Sequence, residues 1–207
     1  MKKKVLLMLA AIFFYGMTAN AQNTLREAGT FTLQPKVGID FGFLSGSWTT
    51  RGNVDRKTRV GVIAGVEGEY YVNDWLGIAA GLNYAQQGWK WDYRNAILGG
   101  EDKKVTEKLD YLNIPITADF YVAKGFALKA GIQFGFLVNA KSGDTDIKSD
   151  CEKLNFSFPI GLSYEYKNFV LDARYNVSAT KVNKNSDSDN KWRSDLIQLT
   201  LGYKFEL

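Results

Sequence analysis

The chain has 207 residues, of which 45% are hydrophobic and 23% charged, with a formal net charge of +4. This length favours a single domain, and the composition excludes a disordered or proline-rich chain. Histidine is absent, which excludes Ser-His-Asp and Cys-His nucleophiles and imidazole metal sites. The single cysteine, Cys151, cannot form an internal disulfide or a cysteine-rich zinc site.

The first 21 residues have the three parts of a secretory signal peptide. Lys2, Lys3 and Lys4 precede an apolar run over residues 5–15, and Ala19-Asn20-Ala21 fits the cleavage pattern. The run is too short to span a bilayer, so a membrane anchor is the weaker alternative. Removing residues 1–21 leaves 186 residues with 23 basic and 22 acidic side chains. The basicity that would favour nucleic acid binding is therefore lost.

Apolar residues alternate with small or polar residues in eight runs of the mature chain. In the clearest run, Leu128, Ala130 and Ile132 alternate with Lys129 and Gly131. Such alternation is typical of strands with two different faces. The eight runs cover residues 36–43, 60–70, 77–87, 112–122, 126–139, 155–165, 169–178 and 197–207.

The connections between these runs alternate in length. Short turns at residues 73–75, 123–125 and 167–168 alternate with long polar loops at residues 45–58, 92–107, 141–153 and 183–192. We therefore expect an all-β, eight-stranded antiparallel up-and-down transmembrane β-barrel over residues 32–207, preceded by a short segment over residues 22–31. A soluble eight-stranded barrel is the alternative. It is disfavoured because its narrow interior would be overfilled with aromatic side chains, and its surface would be glycine-rich.

Aromatic residues occur near both ends of the expected strands, as in the two interfacial belts of a membrane barrel. Those near the short turns are Trp75, Phe120, Phe126, Tyr164, Tyr166, Phe169, Tyr203 and Phe205. Those near the long loops are Phe43, Trp48, Tyr84, Trp89, Trp91, Phe136, Phe156 and Trp192.

Charged residues on the expected inward face concentrate near the short-turn end. Counting positions along each strand from that end predicts one interior layer of four cations and five anions. Its members are Lys36, Glu67, Glu69, Asp119, Lys129, Glu165, Asp172, Arg174 and Lys204. Asp40 lies well above the layer. The rest of the upper lumen is left to Asn83, Gln87, Asn113, Gln133, Asn155, Asn176 and Gln198.

One pair within this layer follows from the turn geometry. The short turn centred on Lys124 sets Val122 opposite Phe126, and the same register sets Asp119 opposite Lys129. Directly opposed side chains in an antiparallel pair are close enough to interact. We therefore predict that Asp119 and Lys129 form an ion pair inside the barrel.

Two runs carry a resemblance to a known family. The run Asp110-Tyr111-Leu112-Asn113-Ile114-Pro115-Ile116 and the run over residues 131–137 (GIQFGFL) resemble the PorT-like outer membrane β-barrel family of Bacteroidetes-type bacteria. The resemblance covers essentially the whole mature chain. It implies a signal peptide, a barrel of the porin-like kind and an outer membrane location.

The chain end is similar to the C-terminal signal that the outer membrane insertion machinery reads. Thr200 is followed by Gly202, Phe205 and the terminal Leu207. This similarity implies that Gly202, Phe205 and Leu207 form an insertion signal and that the insertion machinery is a partner.

No catalytic residue, cofactor or metal ligand is predicted. Asp144, Asp146 and Asp150 lie in one loop, and Asp187 and Asp189 in another. Calcium binding by these residues is disfavoured because the spacing lacks the glycine and the distal glutamate of an EF-hand. Cys151 lies between two carboxylates, which disfavours a reactive thiolate.

These features favour a non-enzymatic integral outer membrane protein of a Gram-negative bacterium, located there after cleavage of its signal peptide. Polar and charged side chains would plug its lumen, and its four long extracellular loops would give it a structural or surface-interaction role. Its expected partners are membrane lipid, the insertion machinery and an unspecified external ligand, but not nucleic acid. The alternative is a narrow porin-like channel for small solutes or ions, which is disfavoured because eight strands leave room only for side chains.

Overall fold

A computed structural model describes residues 27–45, 54–93, 103–180 and 193–207. The expected signal peptide, residues 1–21, lies outside the described residues. Among the described residues, no helix is long and apolar enough to cross a bilayer. The strands in this part of the chain are β1 Phe31–Ser45, β2 Val54–Asn73, β3 Leu76–Tyr93, β4 Lys103–Ala123, β5 Phe126–Ser142, β6 Thr145–Asp146, β7 Leu154–Tyr166, β8 Phe169–Ser178, β9 Arg193–Tyr203 and β10 Phe205–Glu206.

The strands form one closed antiparallel ring. Each long strand pairs with the next along the chain, and β9 pairs with β1 to close the ring. The two-residue strand β10 continues the register of β9 against β1, since Leu33 pairs with Phe205 and Lys36 with Gly202. The two together make the eighth strand, while β6 only folds back on the end of β5. The predicted eight-stranded up-and-down barrel is confirmed.

The strand registers fix the width of the barrel. A path of paired residues starts at Val170 on β8 and passes through Gly202, Lys36, Gly65, Asn83, Asn113, Gly135 and Asn155. Since Ser157 pairs with Ser178, the path returns to β8 at Thr180, ten residues beyond its start. Eight strands with a stagger of ten residues tilt by about 40° and enclose a backbone cylinder of about 8 Å radius. Side chains alone can fill such an interior.

Each proline coincides with a gap in one ladder. The β3–β4 ladder omits the pairs of Gly81 with Pro115 and Leu82 with Ile114, although the register is the same on both sides. The β5–β7 ladder omits two pairs at Pro159, and the β1 ladder with β9 and β10 omits two at Pro35. Proline has no N–H to donate, so each loses hydrogen bonds to one neighbouring strand while pairing with the other is kept.

The two faces of the wall differ as period-two alternation requires. On β1, Val37 and Ile39 are 63% and 41% exposed, whereas Lys36 and Asp40 are 4% and 0% exposed. The same contrast recurs along the membrane-facing part of the long strands, with large apolar side chains outside and mostly polar or small ones inside. An outer surface this apolar is stable only against lipid.

The aromatic belt near the short turns has the predicted outward position. Trp75 stacks on Phe120 with ring centroids 6.3 Å apart. Tyr203 contacts both Phe169 and Phe205, with centroid distances of 5.1 and 4.8 Å. These rings form lateral contacts around the outside of the barrel, where interfacial aromatic residues are expected.

Four neighbouring strands are the longest in the part of the chain that the structure describes. β2, β3, β4 and β5 have 20, 18, 21 and 17 residues, whereas β1, β7, β8 and β9 have 15, 13, 10 and 11. The extra length projects from the long-loop end as a four-stranded extension. Its inner face and the loop after β5 form a buried apolar cluster, here called the mouth cluster: Trp89, Trp91, Leu109, Tyr111, Leu137, Ala140 and, from the loop, Cys151.

The mouth cluster corrects part of the second aromatic belt. Trp89 and Trp91 are only 5% and 7% exposed, so assigning them to the lipid interface was wrong. They lie an even number of positions after Asn83 on β3 and therefore share its inward direction. Tyr84 and Phe136 do face outward, at 41% and 48% exposure. Trp48 and Trp192 lie outside the described residues.

Candidate functional site in the barrel interior

All nine residues of the predicted charge layer lie inside the barrel. None is more than 4% exposed. They come from seven of the eight strands of the ring, with one or two residues from each. They form two groups of ion pairs. Charges this deeply buried are tolerated only when they are paired, so the partners of each define the site.

The first group has six members with balanced charge. Lys129 Nζ lies 2.7 Å from Asp119 Oδ2, 3.2 Å from Asp172 Oδ2 and 3.4 Å from Glu67 Oε1. The group consists of the cations Lys36, Lys129 and Arg174 and the anions Glu67, Asp119 and Asp172. The predicted opposition of Asp119 and Lys129 is confirmed by the β4–β5 register.

Two contacts in this group cross the lumen. Arg174 on β8 donates a hydrogen bond of 2.7 Å from Nη2 to Oε1 of Glu67 on β2, although β9 and β1 separate these strands. Lys129 on β5 reaches the same carboxylate, and β3 and β4 lie between. Lys36 Nζ completes the shell of Glu67 at 2.6 Å. Glu67 thus accepts from three cations that converge on the barrel axis.

The second group lies nearer the short turns and centres on Lys204. Its Nζ atom is 2.7 Å from Glu69 Oε2 and 3.1 Å from Glu165 Oε2. It also donates to the hydroxyls of Tyr71 and Tyr121, at 2.7 and 3.0 Å. The Tyr121 hydroxyl donates in turn to Glu69 at 2.6 Å. Two phenols therefore complete a site that holds one cation and two carboxylates.

The two tyrosines are site residues that the sequence argument missed. Tyr71 is 1% exposed and Tyr121 is 8% exposed, and their rings lie 5.4 Å apart. Tyr71 follows Glu69 by two positions, and Tyr121 follows Asp119 by two. The alternation that identified the inward carboxylates therefore also identifies both rings as inward-facing.

Glycines on neighbouring strands make room for the charged side chains. A methyl group added at Gly161 would come within 2.9 Å of the Arg174 side chain, and one at Gly77 would clash with the carboxylate of Glu69. These inward glycines let long side chains lie flat against the wall and reach the axis. The glycine pattern is therefore part of the site.

Above the charge layer the lumen is polar but incompletely paired. Asn176 donates to Gln198 at 2.9 Å, and Gln133 donates to Ser157 at 3.3 Å. Neither carboxylate oxygen of Asp40 and neither polar atom of the Asn113 amide has a hydrogen-bond partner among the described residues. Buried polar atoms without protein partners are usually solvated, so this upper region is suited to hold water.

The described residues include no group of three or more His, Cys, Asp or Glu side chains arranged to hold a metal ion. Asp144, Asp146 and Asp150 lie on the loop after β5, where Asp146 accepts from the Lys148 backbone N–H at 2.8 Å. Asp187 and Asp189 lie outside the described residues.

The three residues of the expected insertion signal lie in the closing strand and directly after it. Gly202 is buried opposite Lys36, while Phe205 and Leu207 are 48% and 75% exposed. The Leu207 N–H donates to the Phe31 carbonyl at 3.0 Å. This arrangement leaves the two terminal apolar side chains on the outer surface at the end of the barrel.

Comparison with known proteins agrees with the fold. Residues 20–184 match the family model described as an outer membrane protein beta-barrel domain. No curated protein matches the sequence significantly. Neisserial surface protein A (NspA) has a similar structure, with a TM-score of 0.51 at 19% identity over 84% of this chain and 97% of that chain. At this identity the likeness supports the barrel fold alone.

Two further solved structures are similar at lower scores. Ail, the attachment invasion locus protein of Yersinia pestis, has a TM-score of 0.47 at 16% identity, over 86% of this chain and 99% of that chain. OprG from Pseudomonas aeruginosa has a TM-score of 0.47 at 12% identity, over 89% and 99%. Because the family model matches most of the sequence, the protein belongs to the outer membrane protein beta-barrel domain family and resides in the outer membrane of a Gram-negative bacterium.

Proposed function

We propose that this protein is a non-enzymatic outer membrane barrel whose lumen is closed by its charge layer. Its role is structural, or it presents its extracellular loops to an external partner. The observation that carries this proposal is the set of ion pairs crossing the lumen, above all Arg174 and Lys129 on Glu67.

The closure argument rests on width and on charge. An interior of about 8 Å backbone radius has little free cross-section once side chains fill it. Six charges of both signs meet in one network of ion pairs. Removing a sole partner, such as Lys129 for Asp119, would leave a buried charge unpaired, at about 3–5 kcal/mol. A hydrated ion passing this level would have to displace those contacts.

We also propose an orientation and a closer affiliation. The long-loop end faces outside and the short turns face the periplasm, because both termini of an even-stranded barrel stay periplasmic. The two runs at residues 110–116 and 131–137 support membership of the PorT-like branch found in Bacteroidetes-type bacteria. Cleavage after Ala21 and recognition of Gly202, Phe205 and Leu207 by the insertion machinery belong to the same proposal.

A narrow channel for small solutes or ions is the second candidate. The observation that favours it is the upper lumen, where Asp40, Asn113 and Thr200 carry buried polar atoms without partners among the described residues. Water in the upper lumen would form the part of a conducting path that lies above the charge layer. The charge layer below the upper lumen distinguishes the two candidates. A solute that uses a channel must pass through this layer, whereas in a closed barrel no solute passes it.

Solute flux into liposomes tests the proposal. Wild-type protein should admit small sugars no faster than protein-free liposomes do. The charge-balanced variant Asp172→Ala/Arg174→Ala removes two members of the layer and should raise the flux. Leu171→Ala/Tyr175→Ala is the matched control, since both side chains face lipid on the same strand. Rapid flux through the wild-type protein would favour the channel and overturn the closed barrel.

A further inference from the structure

We propose that the outer surface of the four-stranded extension binds the phosphate groups of the glycolipid in the outer leaflet. The site is a band of lysines that crosses four neighbouring strands, here called the lysine band: Lys57 on β2, Lys90 on β3, Lys108 on β4 and Lys141 on β5. The proposal rests on the orientation given above, and it concerns the outside of the wall rather than the lumen.

The mouth cluster fixes the outward direction of these lysines. Lys90 lies between Trp89 and Trp91, which are both buried in that cluster. Lys108 precedes the fully buried Leu109, and Lys141 follows the fully buried Ala140. Since successive side chains point to opposite faces of a strand, the lysines point outward. All four lysines are exposed.

The strand registers bring the four lysines together. Lys57 is directly opposite Lys90, and Lys108 is directly opposite Lys141. Lys90 pairs with Thr106, which places Lys108 on the adjacent diagonal. Directly opposed β-carbons lie about 5 Å apart and diagonal ones about 7–8 Å apart. Like charges at these separations repel, so an anion bound between them would stabilise the extension.

Nearby carboxylates leave most of this charge unneutralised. Lys57 forms an ion pair with Asp92, with its Nζ atom 2.5 Å from Asp92 Oδ2. Asp110 accepts from Asn139 at 3.0 Å, and Glu107 from Ser142 at 2.8 Å. Among the residues that the structure describes, no carboxylate forms an ion pair with Lys90, Lys108 or Lys141.

The band lies at or just above the headgroup layer, within reach of the lipid phosphates. Lys57 and Lys141 lie three positions beyond the exposed Val60 and Val138, and a register shift in each strand keeps these residues on the same outer face. Lys108 lies four positions beyond Leu112, and Lys90 six beyond Tyr84. On tilted strands these offsets correspond to roughly 8–15 Å above the last apolar side chains. The headgroup layer reaches about 5–8 Å beyond the hydrocarbon, so the lysine backbones lie at or above its outer edge. Their long flexible side chains can extend back along the surface to the phosphates.

The binding of labelled lipopolysaccharide to folded protein in detergent tests the proposal. Lys90→Gln/Lys108→Gln should weaken binding roughly 10- to 30-fold, from about 1 kcal/mol for each lysine near an anionic surface. Lys124→Gln/Lys167→Gln removes the same charge at the short turns and should change binding less than twofold. The charge-preserving variant Lys90→Arg/Lys108→Arg should keep most of the wild-type affinity for lipopolysaccharide. Heat-dependent gel migration checks that each variant is folded.

The same assay defines the outcomes that would overturn the proposal. Lipopolysaccharide stripped of its phosphates should bind at least tenfold more weakly, and phosphatidylglycerol should compete poorly. Equal binding of the stripped glycolipid, equal competition by phosphatidylglycerol, or an equal loss in the Lys124→Gln/Lys167→Gln control would each refute the assignment. None of these results depends on whether the lumen is closed, so a failure here leaves the proposed function to its own test.

Discussion

The balance of the six-membered group predicts that Lys129→Met destabilises the barrel more than Lys129→Met combined with Asp119→Asn. Lys129 is shared by Asp119, Asp172 and Glu67. After its removal Asp172 and Glu67 keep Arg174, but Asp119 has no other ion-pair partner among the described residues. An unpaired buried charge costs about 3–5 kcal/mol. Neutralising Asp119 removes that charge, so the double variant should regain about 2–3 kcal/mol of the loss.

The measurement is the free energy of unfolding of the wild type and the three variants, from denaturant titration in one lipid or detergent. Asp40→Asn replaces Asp119→Asn in the control cycle, because Asp40 forms no ion pair with Lys129 among the described residues. The control cycle should be additive to within about 0.5 kcal/mol. If the Asp119 and Lys129 effects also simply add, the paired charges are not coupled and the reasoning fails.

Protease added to intact cells should cut in the loop after β5, at Lys148 or Lys153, and spare Lys124, because the proposal places the long-loop end outside; cleavage at Lys124 alone would reverse the orientation. Lipids carrying a fluorescence quencher should quench Trp75, which is 55% exposed, far more than Trp89, which is 5% exposed; single-tryptophan variants make the comparison direct. Gly131→Val should lower stability by about 1–3 kcal/mol, since its β-carbon would collide with the β4 backbone; an unchanged unfolding midpoint would show that the wall yields there.

The alternation of the sequence was enough to predict the barrel and the inward direction of the nine charges. A strand has a side-chain period of two, so one correct inward position fixes the others as far as the next β-bulge. The Asp119–Lys129 pair was also predictable, because a short turn fixes the register of a hairpin. Arg174 meeting Glu67 was not, since contacts across the lumen depend on the stagger accumulated around all eight strands.

The two tryptophans were misassigned because their height along the barrel was predicted correctly but the direction of their side chains was not. Trp89 and Trp91 lie near the long-loop end, as an interfacial belt requires, but they occupy inward positions on β3. Their burial also needs the extension to rise beyond its neighbours and the loop after β5 to place Ile147 and Cys151 against it. The lengths of paired strands are set by their partners, so this extension could not be read from local alternation.

Conductance of the purified wild-type protein in a planar lipid bilayer tests the central claim most directly. We have proposed that six interlocked charges close a lumen of about 8 Å backbone radius, so we expect no steady openings of the size that general porins give. Steady, reproducible openings of that size in the wild-type protein would contradict the closed barrel.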